Sequence, residues 1–277
     1  TESENKIQRN SNAITVYFPE EAESLWSIAR RYNTTVNAIA QDLHRGVTWL
    51  AGDNGLYCYK NGQFVENELT ELCKKVRIRH VSVTSEGAVL VSTYEKLGQL
   101  KYNLDGTLES WTPANGLAGS RVRVAEQFSN GDIYVGTTSG LSIISSDGTI
   151  TNITKNEEIQ NDYIMCIHED KDGSVWVGTD GGGIFVLKDK QVVKKITKDD
   201  NLSGNVIFKI LNLRDDELWI CTGTGLSIYK NDQIFSFSSV SGLGYDSVFQ
   251  VILDYTQKIW FTTNQGIFNL KLSEIDE

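Results

Sequence analysis

The chain has 277 residues, 40% of them hydrophobic and 22% charged, with a formal net charge of -10. That acid excess opposes binding to a phosphate backbone or an anionic lipid surface, so nucleic acid is excluded as a partner. No apolar run approaches the roughly 18 residues of a membrane span. The 24 Gly, 11 Tyr, 10 Phe and 6 Trp against 2 Pro and 1 Met fit aromatic strands punctuated by glycine turns.

The first residues, TESENKIQRNSN (1–12), are polar and read as a tail. With no Met at position 1 and no signal-peptide pattern, the sequence reads as a mature chain or a piece of one. Residues 13–43 have a different texture. ITVYF reads as a strand, and Leu25, Ile28, Ala29 and Tyr32 fall at i, i+3, i+4 and i+7 of a helix. After a break at Asn33, with Thr34 or Thr35 as N-cap, Val36, Ile39, Ala40 and Leu43 repeat that spacing and predict a second helix. Ser24-Leu25-Trp26, Ile28-Ala29 and Tyr32-Asn33-Thr34 resemble the LysM domain, with a closing strand missing. The resemblance implies contact with N-acetylglucosamine-containing glycans through the loop at Glu23 and Ser24, where Ala22-Glu23-Ser24 replaces the usual Gly-Asp-Thr.

From residue 45 to the end the chain repeats itself. Segments beginning at Val47, Ala88, Asp132, Ser174, Glu217 and Lys258 share one pattern. Their anchors, Trp49, Leu90, Tyr134, Trp176, Trp219 and Trp260, are spaced 41, 44, 42, 43 and 41 residues apart. Each unit reads as a β-rich segment, a turn such as Asn130-Gly131 or Asp172-Gly173, an aromatic strand, a glycine turn and a third strand. A second Asn or Asp turn then leads to a fourth strand. Four antiparallel strands in about 42 residues is one propeller blade. The anchors are expected to pack between blades. The first unit shows no inner strand before Val47, and the last ends after its third strand near Leu272. The expected fold is therefore all-β: a propeller of about six four-stranded blades, the first and last incomplete, behind a small strand-helix-helix segment.

The repeat D-x-x-G-x-[VLI]-W-[VI]-G-T-x-x-G-[LI], seen best in HEDKDGSVWVGTDGGGIFVL (168–187), resembles the two-component regulator propeller family from Arg45 to Leu272. The three glycines Gly181 to Gly183 are then the blade's hairpin turn, with no helix and no lysine to make a phosphate loop. The resemblance implies a non-enzymatic, extracytoplasmic ligand-sensing part of a bacterial two-component or diguanylate-cyclase receptor. Its partner would be its own signalling module or another protein. The alternative is a cell-wall- or spore-associated protein that holds glycans through the LysM-like segment.

No catalytic set, cofactor site or metal site is expected. His44, His80 and His168 lie in different units, and no HExxH, GxSxG or Gly-Lys-Ser/Thr motif occurs. Acidic turns such as Asp170, Asp172, Asp199 and Asp200 lack calcium-loop spacing. Cys58, Cys73, Cys166 and Cys221 form no CxxC pair and read as buried thiols. A small-molecule or glycan ligand is expected where inner strands converge on the channel mouth. The residues read there are Arg79, Arg123, Tyr163, His168, Lys209 and Phe249.

Overall fold

A computed structural model describes residues 36–95, 97–155, 159, 161–214, 216–238, 247–254 and 256–271. It consists of six antiparallel sheets met in chain order, a six-blade propeller. The first comprises β1 (Val36–Asp42), β2 (Val47–Gly52), β3 (Gly55–Lys60) and β4 (Gln63–Val65). A short helix, α1 (Glu68–Leu72), leads to β5 (Ile78–Val83), β6 (Val89–Thr93), β7 (Gln99–Tyr102) and β8 (Leu108–Trp111). The third comprises β9 (Val122–Gln127), β10 (Ile133–Thr137), β11 (Gly140–Ile144) and β12 (Ile150–Ile153). The fourth has β13 (Ile164–Glu169), β14 (Val175–Thr179), β15 (Ile184–Lys188) and β16 (Gln191–Ile196). The fifth has β17 (Ile207–Arg214), β18 (Glu217–Thr222), β19 (Gly225–Lys230) and β20 (Gln233–Phe237). The sixth has β21 (Val248–Leu253), β22 (Lys258–Thr263) and β23 (Gly266–Lys271).

The inner strands β1, β5, β9, β13, β17 and β21 touch in succession around the axis. Between consecutive blades lie five apolar clusters, built from alternate residues of the facing sheets. The second strands β6, β10, β14 and β18 are buried along their whole length because both faces are covered. The anchor side chains Trp49, Leu90, Tyr134, Trp176 and Trp219 are all buried, as the packing role requires. Burial would orphan each indole N–H, and the sequence supplies an acceptor beside it. Trp49 donates to Asp42, Trp176 to Ser174, Trp219 to Glu217 and Trp260 to Asp254.

The rest of the signature is local chemistry of the second hairpin. The hydroxyls of Thr93, Thr137, Thr179, Thr222 and Thr263 each donate to the carbonyl of the glycine that reopens the strand, at 2.8–3.1 Å. In the fourth blade that glycine is Gly183, with φ of +78° and room for no side chain, since a Cβ would lie 2.3 Å from the Ile196 carbonyl oxygen. The triple glycine is thus a turn, and it is tied to the next blade: the amides of Gly181 and Gly183 both donate to the Asn205 carbonyl. All four cysteines are free and buried, and burial pushes the Cys73 and Cys166 thiols up to about 12.

Two expectations need correction. Residues 36–42 are not a second helix but strand β1, antiparallel to β2, with Ala40 opposite Trp49. The first blade therefore has the inner strand that seemed missing. The apolar spacing of Val36, Ile39, Ala40 and Leu43 suits a helix, but sheet pairing decides the outcome. Ala38 and Ala40 pack on the interface with blade two, while Ile39 packs on the other face against Leu50. Leu43 is 80% exposed, outside the strand. The predicted first strand and first helix, with Glu23 and Ser24, lie outside the described residues. The sixth blade is described with three strands, as expected.

Asp42 fastens β1 into its blade. Fully buried, it accepts from the Arg45 amide, the Arg45 guanidinium and the Trp49 indole. Burial pushes its carboxyl upward, but these hydrogen bonds outweigh it and hold the pKa below 3.8. Arg45 also donates to the carbonyls of Gly87 and Asn103 in blade two. Asp42→Ala should strand a partly buried guanidinium and an indole N–H and cost about 3 kcal/mol. Urea unfolding measures this, and an unchanged midpoint would show that β1 is not docked there.

Candidate ligand site at the channel mouth

The six inner strands share one register, so equivalent positions form rings about the axis. Ile78, Val122, Ile164, Ile207 and Val248 pair with the last residue of each second strand, and in all five blades a bulge follows on the inner strand. The pairing partner is Thr93, Thr137, Thr179, Thr222 or Thr263, and the residue skipped by the bulge comes one position later. That skipped ring reads Arg79, Arg123, Met165, Phe208 and Phe249 from blade two to blade six. The ring one residue before each strand begins with Arg77, Arg121 and Tyr163. Blades two and three thus repeat the triplet Arg-x-Arg at the mouth.

Tyr94 stands in the middle of this charge. The guanidinium carbons of Arg77, Arg79 and Arg121 lie 5.3, 5.2 and 5.6 Å from its ring centre. Arg123 lies 5.5 Å from the Tyr163 ring, and its Nη1 donates to the Tyr163 hydroxyl at 3.3 Å. The outer two arginines are paired: Arg77 with Asp53 at 3.0 Å and Arg121 with Glu95 at 2.9 Å. Among the described residues no ion pair involves Arg79 or Arg123, and the buried Nε of Arg79 has no hydrogen-bond partner. Burial, then the charges of Arg77 and Arg123, lowers the pKa of Arg79. The neighbouring Tyr163 hydroxyl, then burial, raises the Tyr94 pKa. At Tyr163 burial pushes the pKa up, but the neighbouring Tyr94 hydroxyl and Arg123 together bring it down. Across the ring Phe208 and Phe249 meet edge to face at 5.1 Å, with Phe249 42% exposed.

One step deeper lies a second group. His80 Nε2 is 3.8 Å from the Glu126 carboxylate. Burial, then the charge of Lys209, lowers the His80 pKa to about 4, and burial raises that of Glu126 against the pull of Lys209. Lys209 belongs to blade five, whereas His80 and Glu126 belong to blades two and three, so its charge acts across the axis. The His80 side chain keeps 23% of its area exposed.

The structure places Arg79, Arg123 and Tyr163 at neighbouring positions of blades two to four, Phe249 beside Phe208 at the equivalent positions of blades six and five, and Lys209 one residue after Phe208. His168 is separated from them. It lies towards the other end of β13, where its Nε2 contacts Asn212 Oδ1 at 2.6 Å and Asp170 is near. Two residues were not found by sequence reasoning, Tyr94 and Glu126; His80 falls within the inner-strand stretch Arg79 to Val81 read as lining the mouth. The signal for Tyr94 was the departure TYEKLG in unit two, whose extended turn delivers both Tyr94 and Glu95 to the arginines. No group of three potential metal ligands occurs among the described residues.

The depressed His80 pKa has a definite sign. Between pH 6.5 and about 4 the unfolded chain takes up a proton that folded His80 refuses, so its contribution to stability is full above pH 6.5 and is lost on acidification. The difference in Tm between wild type and His80→Gln should therefore shrink, or turn in favour of the variant, from pH 7 to pH 4. A constant difference across that range would place His80 in a solvated site.

The fold is shared with several solved structures. The extracellular domain assigned to the hybrid two component system BT3049 of B. thetaiotaomicron aligns with a TM-score of 0.72 and 24% identity, over 87% of this chain and 33% of that one. This chain thus spans about a third of that protein's length. Virginiamycin B lyase from Staphylococcus aureus aligns with a TM-score of 0.64 and 18% identity, over 86% and 85% of the two chains. PorZ of Porphyromonas gingivalis, a surface component of the type-IX secretion system, gives 0.64 and 16% over 84% and 38%. No curated protein matches the chain. The LysM domain model matches residues 20–42, the last seven of which are strand β1. The two component regulator propeller model matches residues 158–181, the start of the fourth blade, where the repeat is most regular.

Proposed function

We propose that this chain is the ligand-sensing, non-enzymatic propeller of an extracytoplasmic bacterial receptor, with the channel mouth as its ligand site. The observation that carries the reading is the asymmetry of that mouth. One half presents guanidinium and phenol groups and the other presents aromatic edges, a small set of convergent polar groups beside apolar surface. The match to the two component regulator propeller and the likeness to the extracellular domain of a hybrid two component system support the sensor assignment. No helix among the described residues is long and apolar enough to cross a membrane. The output module would be supplied by a further part of the same protein or by a partner.

The histidines favour binding over turnover. His168 is engaged by Asn212, and His80 stays neutral to about pH 4, too weak a base for efficient proton abstraction near neutrality. A second reading has support from the LysM match: residues 20–42 hold a cell-wall glycan while the propeller acts as scaffold. Retention of the chain on insoluble peptidoglycan favours that reading, and its absence removes it.

The sensor reading is tested by a thermal-shift screen of small metabolites followed by recovery of each hit. Compounds that raise Tm should return chemically intact, and their shift should be lost in Phe249→Ala. Consumption of a hit, or shifts that ignore Phe249→Ala, would overturn the assignment.

A further inference from the structure

Resting on that reading, we propose that the ligand of the channel mouth is an organic anion, its carboxylate, sulfate or phosphate group held between Arg79 and Arg123 and its apolar body lying towards Phe208 and Phe249. The first ground is charge accounting. In a chain of net charge -10, four arginines converge on two tyrosines. The carboxylates at this end go to the outer pair: Asp53 to Arg77 and Glu95 to Arg121. The inner pair sits in equivalent positions of adjacent blades, and Arg79 and Arg123 repel one another. An acidic protein with carboxylates to spare has left its two innermost cations without one.

The second ground is the unmet hydrogen-bonding capacity. Arg79 Nε is buried and has no acceptor. A guanidinium presents five donors in a fixed plane, matched by the two oxygens of a carboxylate or by a tetrahedral oxyanion. The Arg123 contact to Tyr163 is long at 3.3 Å and goes to a neutral oxygen. An oxyanion between the two arginines satisfies both and removes their repulsion. The hydroxyls of Tyr94 and Tyr163, whose rings lie against these arginines, are further donors for it.

The third ground is the opposite wall. The ring position that holds arginine in blades two and three holds Met165, Phe208 and Phe249 in blades four to six. In a six-blade ring blades two and five face each other, as do three and six. A ligand bridging the mouth therefore meets charge on one side and aromatic surface on the other. A bare inorganic anion would leave that wall unused, and a neutral ligand would leave the arginines unneutralised.

Isothermal titration of benzoate, phenyl phosphate and benzamide tests this directly. Wild type should bind both anions at millimolar or lower concentration, and benzamide about tenfold more weakly or worse. Arg79→Gln/Arg123→Gln should lose about tenfold or more for the anions, whereas Lys60→Gln, far out on β3, should leave them unchanged. Equal binding of benzamide and benzoate, both lost in Phe249→Ala, would overturn the anion inference while leaving the mouth a sensor site. Anion binding undiminished in the double variant would overturn it as well, as would the failure of both anions to bind wild type. A second measurement needs no ligand. Because Arg79 is unneutralised in the free protein, Arg79→Leu should raise Tm by about 2–4 °C. A fall in Tm would make Arg79 a structural residue and overturn the proposal from the other side.

Discussion

Every blade except the terminal pair is a sheet with two apolar faces, and a sheet of that kind has no stable existence in water without a neighbour on each side. The rest of the architecture follows from this constraint. The five clusters between consecutive blades draw alternate residues from each second strand, one set to the preceding blade and one to the following blade. Side chains that large apolar faces leave no room for must vanish: Gly178 lets the inner strand of blade five approach so closely that a Cβ would lie 2.6 Å from Ile207. The anchors fill what remains, and their indole N–H groups need the acceptors that Asp42, Ser174, Glu217 and Asp254 provide. The repeat is therefore a record of inter-blade packing, not of ligand chemistry.

That division explains what could be read from the chain alone. The Trp anchors, the Thr-to-Gly hydrogen bond and the glycine turns recur because each blade faces the same packing problem, and recurrence makes them visible. The inner strand of blade one was hidden by a coincidence of period: four residues from Val36 to Leu43 satisfy helical spacing, while Ala38, Ile39 and Ala40 equally satisfy the alternation of a strand with two covered faces. Only the partner strand decides between them. At the mouth, Arg79, Arg123 and Tyr163 were legible as candidates because the starts of inner strands are expected to converge on the axis. Tyr94 was not, since it reaches the same place from the far end of a second strand, through a turn that looked like a defect in the repeat. The pairing of His80 with Glu126, and the reach of the Lys209 charge to both from up to 129 residues away in the chain, are relations that no local pattern reports.

The packing constraint also decides where chemistry can vary. Faces between blades are committed to apolar contact, and outer turns are committed to chain reversal, so the positions released from both duties are those of the inner strands that point at the axis. There the protein carries groups that packing alone would reject: a buried arginine Nε without a partner, and a histidine beside a glutamate whose shifted pKa values both reflect the cost of burial. Such departures from the local rules are expected at functional sites, where the remainder of the fold supplies the stability they subtract.

A ring built from repeats has a further consequence for recognition. Six equivalent strands present six equivalent positions, and identical side chains there would give a site with no preferred orientation for its ligand. Here one position carries Arg79 and Arg123 on one side of the ring and Phe208 and Phe249 on the other. Substitution at a single register position, without any change in backbone, thus converts a pseudo-symmetric opening into a polarised one. The extended turn of blade two reinforces the same polarity by adding Tyr94 to the cationic side and Glu95 to its rim. The regular repeat supplies the rigid frame, and the departures from it supply direction.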